Sequence, residues 1–509
     1  MKILSSKVIR GVDIKTIEYN NMLSHQLMEW AASAFSDYFI NNYSINSENN
    51  VVLFCGTGNN GGDGVAIARI LHHVGFSVKV FIVESRNNYS DDCLLNIERA
   101  NMADIDITTI TSIKQFPDLK GVHVIVDAIF GTGLSRALDG LAKDVVEAIN
   151  AWGKKVVSVD IPSGLFMDGP TTIAVKATET VTFQVPKLSL FLPENDQFIG
   201  HLTIIDIGLD KRAIAEAETD SYYLTKKEMA SLLKPLSKFT HKGIQGHALI
   251  IGGSLGKIGA VSLASKAALK SGCGLVTVYV PQCGMDIIQS SFPEAMVIQD
   301  NKGEFYLSSI SYTIKPSAIA LGMGMGHHEE TKQALYTFLQ TNKFPLVIDA
   351  DALNILSENN DWLKYLISDT ILTPHPGELS RLIGSWDDDF EKIERTKEFA
   401  RKYDVMVVIK GAHSVIIDSN SVYVNSSGTP ALATAGSGDV LAGIIAGLLA
   451  QGFEPLAATQ LGVYVHGMTA NITLGDINSR AFIASDIIEN IGKVYNSLSI
   501  TDDIDGYFL

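Results

Sequence analysis

VVLFCGTGNNGGDGVAIARILHHVGFSVKVFIV, residues 51–83, reads as a buried strand, a glycine-rich turn, an amphipathic helix and a second strand. That order is a βαβ unit, so the chain is expected to be an α/β protein built on parallel strands. The loop GTGNNGGDG has glycines at 56, 58, 61, 62 and 64 but is not the dinucleotide fingerprint with its acidic residue at the end of the second strand. Asn59, Asn60 and Asp63 make it polar as well as flexible. Residues 7–40, before it, carry a helical pattern of apolar positions that includes Ile9, Ile14, Ile17, Met22, Leu27 and Met28.

Two more strand ends follow. VHVIV leads into Asp127 and the loop GTGLSR, and KKVVSVDIPSGL ends in Asp160, Pro162, Ser163 and Gly164. Ligands of open α/β sheets bind outside the carboxyl ends of the strands. Each aspartate taken alone is an ordinary capping residue. Three such loops on one sheet edge, carrying Asn60 and Asp63, Asp127, and Asp160 with Ser163, point to a site. Amide, carboxylate and hydroxyl oxygens suit a hard cation.

NNGGDG, VDAIFGTGL and VDIPSGL, in this order, resemble the N-terminal domain of the bifunctional NAD(P)H-hydrate repair enzymes, the NAD(P)HX epimerase, over about residues 1–215. The resemblance implies a Rossmann-like three-layer sandwich. It implies potassium ligands at Asn60, Asp127 and Ser163, a set whose single carboxylate is meagre for calcium and whose lack of histidine or cysteine disfavours zinc, while a large singly charged ion fits it. It implies a hydrate site lined by Asn59, Asn60, Gly61, Gly62 and Asp63, by Gly131, Thr132, Gly133, Leu134, Ser135, Arg136 and Ala137, and by Asp160. Asp160 is then the acid/base candidate.

After TIIDIGLD the chain turns polar and helical, KRAIAEAETDSYYLTKKEMASLLKP, and the domain boundary is placed near residues 211–224. At 509 residues the chain exceeds one ordinary core, and two large domains are expected. The halves share no motif period, so they read as a fusion rather than a duplication.

The second half alternates βα units again and ends in GTPALATAGSGDVLAGIIAGLLA, residues 428–450. Gly436, Ser437 and Gly438 precede Asp439, and the run after it is apolar on nearly every side, as a buried helix is. Free N–H groups and the positive dipole end at such a helix start hold anions, and a carboxylate beside them can take a proton from a hydroxyl. An N-cap aspartate after a glycine turn is the plainer reading of an isolated GSGD. Other features of this half have plain readings too. Lys410 suits a solvated turn, His375 a polar loop, and Asp349 and Asp351 helix caps. Together THKG, GGS, LGMGMG, DADAL, TPHPGE, KG and GSGD resemble the ADP- or ATP-dependent NAD(P)HX dehydratase, a ribokinase-like α/β domain, over about residues 224–505. LGMGMG departs from the family's usual GPGLG by lacking the proline. The resemblance implies that Lys410, Gly411, Ala412, His413, Ser414 and Gly438 hold the adenine nucleotide. It places Ala260, Gly324, His375 and Asp439 at the hydrated nicotinamide, and magnesium is the expected counter-ion of ADP or ATP.

The chain is 46% hydrophobic and 19% charged, hence globular, with a formal net charge of −16. That charge argues against nucleic acid or an anionic membrane as partners. Cys55, Cys93, Cys273 and Cys283 form no CxxC pair and no metal-ligand pattern. No run reaches transmembrane length. A cytoplasmic enzyme of small-molecule substrates, NADHX and NADPHX with ADP or ATP, is expected, as a homo-oligomer. Two alternatives stay open: a ribokinase-like small-molecule kinase, marked by a stable phosphorylated product, and a first half that only binds.

Overall fold

Residues 50–83 form a βαβ unit in the computed structural model, with strand β1 (Asn50–Cys55), helix Asn59–His73 and strand β2 (Ser77–Val83). Residues 1–43, 50–85, 88–134, 136–233 and 235–499 are described. Val51 to Cys55 are all buried, which is how a parallel strand covered on both faces reads. The helix begins at Asn59, so most of GTGNNGGDG is not a loop but the first helical turns. Glycine permits this start. A Cβ on Gly61 would stand 1.8 Å from the Gly56 carbonyl oxygen, and one on Gly64 would stand 2.5 Å from the Ala128 Cβ.

The chain divides into two compact units, the first being Met1–Ser221 and the second beginning at Tyr222. In the first, β3 (Asp106–Ile110), β4 (Val122–Ala128), β5 (Lys155–Val159), β6 (Glu179–Phe183) and β7 (His201–Ile205) complete a seven-stranded sheet. All its strands are parallel, in the order β3-β2-β1-β4-β5-β6-β7. The order reverses between β1 and β4, the switch point where open α/β sheets leave a crevice. Asp127 lies in register with Phe54 of β1 and Ser158 of β5, so the three strand ends singled out in the sequence are neighbours. One face of the sheet packs on helices that include Ser24–Asn42, through Phe35 and Phe39, and the other on Gly140–Trp152, through Val145, Val146 and Ile149. This is the expected three-layer sandwich.

The helical pattern of residues 7–40 is two helices, Ser6–Tyr19 and Ser24–Asn42. Between them Asn21 takes φ +47, a left-handed turn that asparagine tolerates. The polar stretch after residue 210 is likewise not one helix. Asp210 caps Lys211–Glu216, the aromatic run Ser221–Leu224 is extended, and a Thr225–Glu228 capping box starts Lys226–Leu232.

In the second unit the sheet contains β8 (His247–Ile251), β9 (Leu275–Val280), β10 (Met296–Gln299), β11 (Ala318–Leu321), β12 (Leu346–Ile348), β13 (Thr370–Leu372), β14 (Val405–Ile409), β15 (Val415–Ile417) and β16 (Val422–Asn425). Their order is β16-β15-β14-β13-β12-β11-β8-β9-β10, parallel from β14 to β10 and antiparallel through β14, β15 and β16. Here the order reverses between β8 and β11. The helix Ser437–Ala450 is buried along almost its whole length and packs closely on Ile258–Lys270. Glycine makes the approach possible: a Cβ on Gly443 would fall 2.1 Å from the Ala264 carbonyl oxygen.

Candidate active sites

In the first unit the strand ends open into a cavity of about 700 Å³. Asn59, Asn60, Asp63, Gly131, Thr132, Gly133, Leu134, Arg136, Ala137 and Asp160 line it. Gly61 and Gly62 do not. A Cβ on Gly62 would meet the Met28 side chain at 2.8 Å, so these two glycines serve the packing behind the wall. Ser135 lies outside the described residues.

Asp160 follows β5 with φ +67, a conformation costly for a residue with a Cβ and characteristic of functional positions. Its amide donates to the Val181 carbonyl (2.9 Å), which holds the turn. Its Oδ1 accepts from the Lys187 ammonium (2.6 Å), the Phe183 amide (3.0 Å) and the Thr182 hydroxyl (3.2 Å). Lys187 is only 1% exposed. The sequence reading did not single it out, although its setting held a signal. FQVPKLSLFLP is an apolar run, and a lysine inside one is buried only when paired. Asp13, on Ser6–Tyr19, also escaped the reading. Burial and the nearby Asp160 charge push its carboxyl up to about 6, against the opposing pull of Lys187. Burial, then Asp160 and Asp13, likewise hold Asp63 well above the usual carboxylate range.

Beneath the cavity Asp127 is fully buried. Its Oδ2 accepts from the Ser158 hydroxyl and the Ser163 amide, both at 2.8 Å, Oδ1 lies 3.4 Å from the Ile129 amide, and the Ser163 hydroxyl also bears on the carboxylate. The Asn60 side chain stands against Gly131, where a Cβ would come within 3.2 Å of Oδ1, and its buried Nδ2 has no hydrogen-bond partner among the described residues. The Ser163 hydroxyl accepts from the Ile129 (3.1 Å) and Phe130 (2.8 Å) amides, and its one hydrogen has the Phe130 carbonyl (3.3 Å) and the Asp127 carboxylate within reach.

In the second unit Gly436, at φ +85, turns the chain into Ser437–Ala450 and sets Asp439 in its first turn. Burial raises the Asp439 carboxyl to about 7, helped by Asp349 and opposed by Lys410. Lys410 is not a solvated turn lysine. It follows β14, and its ammonium donates to Asp349 Oδ1 (2.8 Å) and lies 3.8 Å from Glu378 Oε2. Burial works against its charge, but Asp349 and Glu378 outweigh that and hold its pKa above the ordinary value. A Cβ on Gly438 would sit 3.2 Å from the Lys410 Nζ, so the glycine amides and the ammonium share one small space. The cap reading of Asp349 and Asp351 therefore gives way: Asp349 pairs with Lys410, and Asp351 accepts from the Gly326 amide (2.8 Å). His466 backs the helix start, with Nε2 3.1 Å from the Ser437 hydroxyl, and burial drops its pKa to about 4, which keeps it neutral.

His375 takes the capping role. Its Nδ1 accepts from the Gly377 (3.0 Å) and Glu378 (3.3 Å) amides, and Glu378 answers by accepting from the His375 amide. Only Nε2 remains to meet a ligand. Gly322, Gly324 and Gly326 of LGMGMG are all left-handed, at φ +119, +64 and +76, and the Gly324 carbonyl accepts from the Ser254 hydroxyl at 2.8 Å. That bond and the buried Met323 and Met325 hold the loop where the family has a proline. A Cβ on Gly324 would touch the Ala260 Cβ at 3.2 Å, so these two expected site residues are adjacent. In the turn after β14, Gly411 and Ala412 are exposed, the Ser414 hydroxyl and the Gly411 amide are 3.4 Å apart, and His413 Nδ1 is 3.3 Å from the Asn425 carbonyl.

The second site thus combines helix-start amides, a cation and a carboxylate that titrates near neutrality, the elements of phosphoryl transfer to an alcohol. The first combines a carboxylate, its buried cation and further carboxyls around a cavity. Two family patterns match. One, described as YjeF-related protein N-terminus, covers residues 24–189, and the other, NAD(P)H-hydrate dehydratase, covers residues 248–493. The bifunctional NAD(P)H-hydrate repair enzyme Nnr of Moorella thermoacetica is 35% identical, with 88% of each chain covered. That of Thermofilum pendens is 33% identical over 98% of this chain and 97% of its own. Among solved structures, an ADP/ATP-dependent NAD(P)H-hydrate dehydratase from Bacillus subtilis, co-crystallised with ATP/Mg2+, aligns with 55% of this chain and all of its own, at 27% identity and a TM-score of 0.49. With both halves matched in order and near-complete coverage at this identity, the chain belongs to the family of bifunctional NAD(P)H-hydrate repair enzymes.

Proposed function

We propose that the two units divide one repair task on hydrated NADH and NADPH. Hydration leaves a hydroxyl on C6 of the nicotinamide ring, next to the ring nitrogen, whose lone pair helps expel it. The first unit interconverts the R and S hydrates by loss and return of water, with Asp160 as an acid/base group in the cavity. The second unit dehydrates the S form at the expense of ADP or ATP. Hydroxide is a poor leaving group and phosphate a good one, so the hydroxyl is phosphorylated and phosphate is then eliminated. Asp439 takes the hydroxyl proton, while the amides of residues 436–438 and Lys410 meet the charge on the transferred group. The observation that carries this reading is Asp439 itself, set directly after the glycine cradle at the start of a buried helix and raised to about 7.

Potassium in the first unit would be held by Asn60 and Asp127. The Asn60 side-chain oxygen beside Gly131 and the buried Asp127 carboxylate offer such an ion oxygen donors. Ser163 would join only by giving up one of its present bonds. The ion would neutralise a carboxylate that burial otherwise disfavours. Rubidium-soaked crystals should show anomalous density between Asn60 and Asp127, and density for water alone would remove the ion. Magnesium would travel with the nucleotide phosphates rather than in an all-protein cage.

The test is incubation of purified R and S hydrates with and without ADP or ATP, following recovery of reduced-nicotinamide absorbance. Recovery from S only with nucleotide supports the reading; a stable phosphorylated product in place of NADH would indicate a plain kinase.

A further inference from the structure

Lys187 has three ammonium hydrogens and three acceptors: Asp160 Oδ1 (2.6 Å), the Thr182 hydroxyl (2.8 Å) and the Phe183 carbonyl (2.9 Å). Nothing on it is left for a substrate. Every hydrogen bond that Asp160 accepts falls on the same oxygen, Oδ1. Its Oδ2 accepts none among the described residues, and Asp160 lines the cavity. The carboxylate is therefore clamped by one oxygen and presented by the other.

The open Oδ2 offers the cavity a proton acceptor. Removal of the ring hydroxyl needs a donor as well. Ile9, Asp13 and Ile17, one and two turns apart on Ser6–Tyr19, all line the same cavity, so the face of that helix that bears Asp13 is turned inward. The Asp13 carboxylate accepts no hydrogen bond among the described residues. Asp160, Lys187 and Asp63 are the charged groups that act on it or that it acts on, and Arg10 and Arg136 lie on the same cavity wall.

Resting on the epimerase reading above, we infer that Lys187 is the positioning residue that makes Asp160 Oδ2 the base of epimerisation, and that Asp13 is the proton donor. The C6–O bond breaks as the ring-nitrogen lone pair forms the N1=C6 bond, and the departing hydroxide takes the Asp13 proton and leaves as water. A water then adds at C6 on the other face, gives its proton to Asp160 Oδ2, and the N1=C6 electrons return to nitrogen. Proton exchange with solvent restores the start, and the opposite epimerisation runs with the roles exchanged.

The test uses the full chain without nucleotide and follows R–S interconversion by chiral chromatography. Asp160→Asn keeps the clamped oxygen, and it, Lys187→Met and Asp13→Asn should each lower kcat by about 10²–10⁴ with KM within about threefold. A role in folding or binding alone would move the melting temperature or KM instead. Wild-type kcat in Lys187→Met, or a loss in KM only, overturns the positioning role, and wild-type kcat in Asp13→Asn overturns the donor. Should Lys187→Met not fold, wild-type kcat in Asp160→Asn overturns the base. If the unsubstituted protein does not interconvert the hydrates, the epimerase reading itself fails.

Discussion

Asp439 has an ordinary carboxyl value of 3.8 and is raised to about 7 in the folded chain. The folded state thus holds this proton more tightly than the unfolded state. Its contribution to stability is complete below 3.8 and is lost as pH rises through about 7. Asp439→Asn should therefore be more stable than the unsubstituted protein at pH 8, by up to about 4 kcal/mol, with the gain shrinking as pH falls toward 4. Melting curves at both pH values check it. The same substitution should lower nucleotide-dependent repair by about 10²–10⁴ while nucleotide still binds. In the unsubstituted protein that repair should fall as pH drops below about 7, because the base must be ionised; a pH–rate profile flat through neutrality would contradict this. Residues with a loop motif around them, such as Asp160 and Asp439, were legible in the sequence. Lys187 was not, because its meaning lies in a partner 27 positions earlier, at Asp160. His375 shows the converse: the residue was visible, but its Nδ1 is engaged as a helix cap.

At the scale of elements, glycine decides how closely helices approach. Gly443 brings Ser437–Ala450 onto Ile258–Lys270, and a Cβ there would stand 2.1 Å from backbone oxygen. Gly443→Ala should cost roughly 1–3 kcal/mol or more as the helix shifts, and nucleotide-dependent turnover should fall with it, since the shifted helix carries Asp439. Gly492, within Ala484–Ser499, has nothing within 4 Å of a Cβ, and Gly492→Ala should stabilise by about 0.5–1 kcal/mol. Denaturant titration of both variants separates packing from helix propensity. The apolar run after GSGD made the helix legible, and period and glycine placement made the βαβ units legible. The split of residues 7–40 at Asn21, and the strand Ser221–Leu224 inside a polar run, depended on local backbone conformation that helical periodicity does not report.

For the whole molecule, the first sheet reverses strand order between β1 and β4 with its cavity beside the reversal, and in the second unit Asp349 and Lys410 follow β12 and β14. Strand ends in the sequence marked both places, but which strands are neighbours is a matter of topology and was legible only in part. No helix among the described residues is long and apolar enough to cross a membrane, and Cys55, Cys93, Cys273 and Cys283 are free thiols. The central claim is that epimerisation depends on Asp160 and dehydration on Asp439, within one chain. The most direct measurement starts from pure R hydrate with ADP and follows R, S and reduced nicotinamide together in the unsubstituted protein, Asp160→Asn and Asp439→Asn. The account predicts full recovery in the first, consumption of R slowed by about 10²–10⁴ in the second, and R–S equilibration without recovery in the third. Recovery of reduced nicotinamide from R by Asp160→Asn at the unsubstituted rate, or any nucleotide-dependent recovery at that rate by Asp439→Asn, would contradict it.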